Sequence, residues 1–299
     1  MKTAAGTRFF HGDSRVKRIK MVIPKGRLYG RVVRFLNDAG FGIEADENVL
    51  IPKVAAAGVE AKVMKPQNIP RLIELGSHDV GFTGHDWVVE TKARVAEAMD
   101  LGFDPVKIVA AVPASRSNGL ARRRQIVVAS EYENIARRFL NERGIDYIFL
   151  RTYGATEAFP PDDADMIIDN VATGRTLLAH NLKIMAVLLE STTQLIVHPG
   201  ALKDPWKRET IAQMEMLLRG VLDASRRVML EMNVPTDKLQ AVVKRLPCMR
   251  SPTVSPLYGD QGYSVKVAVP RESAPGLILL LKKMGAGDIL EYKFEKVVP

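Results

Sequence analysis

The sequence predicts an α/β protein that closes with a small β-α-β-β-α-β unit. Three observations carry that expectation. Short apolar runs of strand length alternate with helix-period segments from Ile19 to Val197. Several of those runs end in an acid or a glycine turn that opens a helix. From Val228 onward, period-two apolar strands are separated by two helical segments.

The 299 residues allow two or three domains. A hydrophobic share of 46% beside a charged share of 26% is that of a folded, soluble chain and excludes an intrinsically disordered one. No apolar run reaches the length of a membrane span. The single cysteine, Cys248, excludes an internal disulfide and a cysteine-based zinc site, and fits a reducing cytoplasm. The net charge of +9 favours anionic partners, either nucleic acid or nucleotides and sugar phosphates. The first 20 residues are basic and polar, without the apolar core of a secretory signal.

In chain order, Ile19 to Ile23 reads as a strand. Pro24-Lys25-Gly26-Arg27-Leu28 follows, then a helix with Leu28, Val32, Phe35 and Leu36 inward and Gly40 at its end. Two cations and a glycine at that junction suit a polyphosphate, or form a solvated basic turn. Val63 and Met64 begin the next strand-to-helix step, with Asn68 as the expected helix cap and Gly76 as its stop. Asp79 to Gly84 is a strand and glycine turn, and Asp86 opens a helix. Asp100 precedes the apolar strand Ile108 to Val112. Ile126 to Ala129 is a strand followed by Ser130-Glu131-Tyr132-Glu133, which reads as a capping box. A helix stopping at Gly144 and a strand from Tyr147 to Leu150 lead to Gly154-Ala155-Thr156-Glu157. Such alternation predicts parallel sheets, with ligands beyond the carboxyl ends of the strands. Lys25, Arg27, Asp100, Glu157 and Asp169 all fall there.

The stretch most suggestive of chemistry runs from Ala164 to Leu177. Met166 to Ile168 is a buried strand, Asp169 ends it, and Ala172-Thr173-Gly174-Arg175-Thr176 turns into a helix. The first amides of a helix lack helical partners and can face a phosphate. Gly174 lets that phosphate approach. Thr173 and Thr176 add hydroxyls, Arg175 adds a charge, and ionised Asp169 accepts from ribose hydroxyls. The same residues would also make a plain turn, with the aspartate as a helix cap.

Asp169-x-x-x-Thr173-Gly174-Arg175-Thr176-Leu177 resembles the phosphoribosyl-diphosphate loop of the ATP phosphoribosyltransferases. Gly154 to Glu157, Ala164-Asp165, the Pro24 to Leu28 motif and the Asp79 to Gly84 segment resemble the same family in the same order. The resemblance implies a two-lobed, periplasmic-binding-protein-like catalytic part. Lobe I would hold residues 1–112 and 191–224, lobe II residues 113–190, and a regulatory ferredoxin-like (ACT-like) domain residues 225–299.

It further implies transfer of the phosphoribosyl group to N1 of ATP with release of pyrophosphate, the first step of histidine biosynthesis. By position, Asp165, Asp169, Ala172, Thr173, Gly174, Arg175 and Thr176 would hold phosphoribosyl diphosphate. Lys25, Arg27 and Asp100 would face ATP, and Glu157 and Asp169 would act in catalysis. Magnesium would arrive on the diphosphate, with no resident metal. The C-terminal motifs, Asn233-Val234-Pro235, Ser251 to Leu257 and Gly285-Ala286, resemble the long form of the family, in which free histidine inhibits. Asn233, Thr253 and Ala286 would line that pocket, or serve as turn residues. The family also implies a cytoplasmic homo-oligomer, between dimer and hexamer.

This chain departs from the family pattern at Lys65, Asn68 and Asn170, and by one residue fewer between Glu157 and Asp169. The competing reading is a non-catalytic bilobal binding or effector protein. No secretory signal and no DNA-reading helix pair support it.

Overall fold

The structure, a computed structural model, describes residues 17–44, 46–116, 125–247 and 251–298. Residues 1–16 and Cys248 lie outside them. Two units emerge: residues up to 34 with 42–210, and residues 35–41 with 211 onward.

The first unit carries two five-stranded sheets. One is built from β1 (Ile19–Pro24), β2 (Val59–Met64), β3 (Val80–Gly84), β4 (Ala96–Asp100) and β10 (Thr193–Val197), in the order β2-β1-β3-β10-β4. The other uses β5 (Val106–Pro113), β6 (Ile126–Ser130), β7 (Tyr147–Arg151), β8 (Met166–Val171) and β9 (Leu182–Ser191), in the order β7-β6-β8-β5-β9. Helices α2 (Ile69–Glu74), α3 (His85–Thr91), α4 (Glu133–Glu142) and α5 (Arg175–Ala179) join their strands, as does α1 (Tyr29–Ala39), whose residues from 35 on fall in the other unit. Burial follows the apolar runs: β3 and β10 are buried at every residue, as strands covered on both faces must be.

The sheets are mixed rather than parallel. β1 runs parallel to β2 and β3, and β6 to β7 and β8. β10 is antiparallel to β3 and β4, and β5 to β8 and β9. The cause is topological. A strand returned by a crossover helix runs parallel to its predecessor, whereas β5 and β10 enter from the other lobe, at the hinge end. The expected lobe boundary at residue 112 is corrected accordingly. The strand at 106–113 belongs to the second sheet, and the chain crosses at 101–105 and returns at 191–193. The two crossing segments bond to each other, Leu101 N–H to Thr193 C=O and Thr193 N–H to Phe103 C=O, both at 3.0 Å.

Local capping differs from the sequence reading in two places. Asn68 precedes α2 without a side-chain bond to it. The capping box at 130–133 does not form, because Ser130 Oγ donates to Ile168 C=O and accepts the Tyr132 N–H. The cap of α4 comes instead from α3. The Glu90 carboxylate accepts the Asn134 and Ile135 N–H groups, each at 3.0 Å, and Asn134 Nδ2 donates to the Glu90 carbonyl at 2.9 Å. One helical turn earlier on α3, Asp86 accepts the Tyr132 hydroxyl at 2.8 Å and the Ser191 hydroxyl at 2.6 Å. A Cβ at Gly84 would collide with that carboxylate, which is the physical reason for a glycine there. Trp87 stacks on Tyr132 with centroids 4.5 Å apart. These bonds tie α3 to the second lobe.

Helix α6 (Pro205–Ser225) leads to the last sheet: β11 (Arg227–Val234), α7 (Leu239–Val243), β12 (Thr253–Pro256), β13 (Tyr263–Pro270), α8 (Ala274–Lys283) and β14 (Gly287–Lys293). The strand order β12-β13-β11-β14, with antiparallel neighbours throughout, is the expected ferredoxin-like arrangement. Val228, Leu230, Met232 and Val234 point inward from β11 against Val265, Val267 and Val269 of β13. Val242, Leu277 and Leu281 cover them from the helices.

Candidate active site

β8 ends in the first unit's second lobe, and its last residues open a cavity of about 350 Å³. Glu157, Asp169, Ala172, Thr173, Gly174 and Thr176 line it, joined by Arg27 from the first lobe and by Glu131. The loop owes its shape to Gly174, whose φ of +75° at the start of α5 is a left-handed conformation that side chains resist. The first bond from the α5 ladder is Leu178 N–H to Gly174 C=O at 3.1 Å, so the amides of Arg175 to Leu177 precede that ladder.

Asp169 is the electrostatic centre. Burial pushes its carboxyl up from 3.8 to about 6, and the nearby Glu157 and Glu131 carboxylates push the same way. The Asn170 N–H, 2.7 Å from Oδ1, and the Thr156 hydroxyl oppose the rise. An acid held in that condition gains from any ligand that brings hydroxyl donors and positive character.

A second cavity of about 260 Å³ adjoins the first and shares Arg27, Glu131 and Asn170 with it. Lys25, Gln67, Asp86, Trp87, Asp104 and Tyr132 line it from both lobes. A third, of about 680 Å³, meets the first at Val171 and Ala172 and carries Asp100 and Lys107.

Of the residues expected to hold the sugar diphosphate, the structure brings Asp169, Ala172, Thr173, Gly174 and Thr176 to one cavity, with Glu157. Arg175 is exposed and is not among its lining residues. Asp165 is corrected: it is 5% exposed, its Oδ2 accepts the Val127 N–H at 3.0 Å, and it lies outside the cavity wall. At the N-terminal end of β8, its carboxylate joins β6 to β8 rather than facing the loop. Lys25 and Arg27 share the second cavity, while Asp100 stands on the third. Asp100 Oδ1 already accepts the Thr192 hydroxyl at 2.6 Å and the Gly102 N–H at 2.8 Å.

In the other unit, Asn233 pairs with Gly287, next to buried Ala286, and its Nδ2 donates to Asp288 at 2.8 Å. Thr253 stands on β12, with β13 between it and β11. The structure therefore joins Asn233 to Ala286 but does not bring Thr253 to them within one chain.

The model of the ATP phosphoribosyltransferase family matches residues 65–220, and that of the family's C-terminal domain matches residues 224–296. The chain belongs to the ATP phosphoribosyltransferase family. Curated relatives agree. The ATP phosphoribosyltransferase of Desulforudis audaxviator is 36% identical over 94% of this chain and 100% of its own length. That of Prosthecochloris aestuarii is 37% identical over 94% of this chain and 97% of its own. A chain of the ATP phosphoribosyl transferase (HisG:HisZ) complex from Thermotoga maritima superimposes with a TM-score of 0.62 at 24% identity. It covers 69% of this chain and 98% of its own length, and that likeness shows the fold.

As an ATP phosphoribosyltransferase, the chain is the pentosyltransferase that opens histidine biosynthesis. Both substrates of an ATP phosphoribosyltransferase are polyanions, and Lys25 and Arg27 are the basic residues lining an otherwise acidic pair of cavities. Two groups escaped the sequence reading. Glu131 occupies a strand end of the same kind as the expected residues, and that position was the available signal. Tyr132 and its partner Asp86 join lobes far apart in sequence, and no local pattern marks such a pair.

Proposed function

We propose that the 350 Å³ cavity is the phosphoribosyl-diphosphate site of this enzyme. The observation that carries the reading is the convergence of Asp169, Glu157, Arg27 and the Ala172 to Thr176 loop on one cavity wall. The 5-phosphate sits on the loop amides with the Thr173 and Thr176 hydroxyls. Ionised Asp169 accepts the ribose hydroxyls. ATP enters along Lys25 and Arg27, toward the wall bearing Asp100.

N1 of the purine attacks C1 of the pentose as the C1–oxygen bond to diphosphate breaks, and pyrophosphate departs. The sugar centre is cation-like in between, and the Glu157 and Asp169 carboxylates favour it. Placement of the two reactants supplies the remaining rate. Magnesium belongs to the substrate, carried on its diphosphate oxygens, and the hard carboxylate oxygens of this cavity suit it.

We also infer that free histidine inhibits by binding the C-terminal unit near Asn233 and Ala286, that Thr253 reaches it in an oligomer, and that the enzyme works in the cytoplasm. The resemblance of the C-terminal motifs supports the histidine site, and the single cysteine fits the cytoplasm.

The test is calorimetric binding of phosphoribosyl diphosphate with magnesium to the full chain, beside the Thr173→Ala/Gly174→Val variant. At Gly174 a Cβ would meet only Val171 Cγ1, at 3.9 Å, so strain from the positive φ is the main folding cost, about 1–2 kcal/mol. Affinity is expected to fall at least 100-fold with the fold retained. Unchanged affinity would place the sugar phosphate elsewhere.

A further inference from the structure

Asn170 stands beside Asp169 at the end of β8, with its side-chain amide between two oxygens. Nδ2 lies 3.3 Å from Asp169 Oδ1 and 3.2 Å from the Tyr132 hydroxyl oxygen. An amide nitrogen has two hydrogens to donate, so one group serves both. The Tyr132 hydroxyl passes its own hydrogen to Asp86 Oδ2 at 2.8 Å, and Asp86 Oδ1 accepts from Ser191 at 2.6 Å. Burial, and next the Asp86 charge, push the Tyr132 phenol well above its ordinary value of 10, so it remains a donor.

Each bond in this series therefore has one direction: Asn170 gives to Asp169 and to Tyr132, and Tyr132 and Ser191 give to Asp86. Asp86 belongs to α3 of the first lobe, Tyr132 follows β6 in the second, and Ser191 ends β9 where the chain crosses back. The series runs from the acid of the sugar cavity to the hinge. Asn170 also lines both smaller cavities.

We propose that Asn170 is a positioning residue for the transfer reaction: its amide fixes the Asp169 carboxylate for the pentose and couples it, through Tyr132 and Asp86, to the hinge between the lobes. The inference rests on the proposed sugar site. An aliphatic side chain at 170 would leave Asp169 Oδ1 with only the Asn170 N–H of this pair and would strip the Tyr132 oxygen of a donor. The other groups facing Asp169 are Glu157, Glu131 and the Thr156 hydroxyl, of which only the hydroxyl is a donor, with Arg27 on the same cavity wall.

The experiment compares the wild type with Asn170→Leu, Tyr132→Phe and the double variant. It measures kcat and KM for phosphoribosyl diphosphate at saturating ATP, calorimetric binding of the same compound, and the pH profile of kcat/KM. Asn170→Leu should raise KM and Kd about 10-fold, equivalent to about 1.4 kcal/mol, while kcat changes less than 3-fold. Losing a donor that favours the ionised carboxylate raises its pKa, so the acid limb should move to higher pH. Tyr132→Phe should act in the same direction and more weakly. The double variant should match Asn170→Leu within 2-fold, because both substitutions cut one series.

Unchanged KM and pH limb in Asn170→Leu, or effects that multiply in the double variant, would overturn the proposal. If Asn170→Leu does not fold, Tyr132→Phe decides alone. It keeps the ring stacked on Trp87 and removes only the hydroxyl, so a wild-type profile there also overturns it. Wild-type binding that Gly174→Val leaves intact would bring down the parent reading and this one together. Binding that Gly174→Val abolishes but Asn170→Leu leaves untouched would remove this inference only.

Discussion

Asp169→Asn should make the free protein more stable while destroying its activity. In the folded chain the Asp169 carboxyl titrates at about 6, against an ordinary 3.8, with burial the main cause and Glu157 and Glu131 behind it. The difference is roughly two units, and at about 1.4 kcal/mol per unit it corresponds to about 3 kcal/mol. The sign follows from proton binding. The folded state holds the proton more tightly than the unfolded state, so the protonated acid favours folding below about 3.8. That contribution is lost as pH rises from 3.8 through about 6. At pH 8 the ionised group therefore weighs against the fold by the full amount.

Asparagine removes the charge, keeps an oxygen for the Asn170 N–H and offers donors to Glu157 and Glu131. Urea unfolding at pH 8 should show the variant about 2–3 kcal/mol more stable than the wild type. At pH 4, where the wild-type acid is protonated, the gain should shrink to under about 1 kcal/mol. Activity at pH 8 should fall at least 100-fold, since a neutral amide serves neither the ribose hydroxyls nor the cation-like carbon as a carboxylate does. A variant no more stable than the wild type at pH 8, or a gain of equal size at both pH values, would refute the reasoning.

Glu90→Ala leaves the first amides of α4 without acceptors and should cost about 2 kcal/mol, within the span of lost helix caps and charge-assisted bonds. A drop of about 4–8 °C in thermal midpoint on differential scanning calorimetry is the expected reading. Histidine should slow the wild type in a pyrophosphate-release assay, and Asn233→Ala should relieve the slowing at least 10-fold while leaving uninhibited kcat within 2-fold. Equal inhibition of both proteins would remove Asn233 from the effector pocket.

The period of the apolar residues made most strands legible. Val228, Leu230 and Met232 alternate, and they form one face of β11. Met166 to Ile168 run continuously, and β8 is covered on both faces there. Period reveals which face of an element is buried and says nothing of the sheet that receives it. The strand at 106–113 was readable for that reason, while its place in the second sheet was not. The turn from Ala172 to Thr176 was legible because its parts are contiguous. Asp165 was misplaced because a carboxylate three residues before a strand's last buried position looks the same in sequence whether it faces a loop or a neighbouring amide.

The groups tying the first unit's lobes together carry a signal of a subtler kind. Asp86 and Glu90 are four apart on α3 and so share one face of that helix. Helix α3 contains no lysine or arginine to neutralise either acid locally. Both are almost fully buried, at 4% and 6% exposed. A buried carboxylate without a cation must find N–H or O–H donors. Here they are the Tyr132 and Ser191 hydroxyls and the open amides of α4. The spacing announces that two acids need donors on a common side, and only the folded chain says which helix end and which tyrosine answer. Because each answer comes from across the hinge, both bonds must break or stretch if α3 parts from α4.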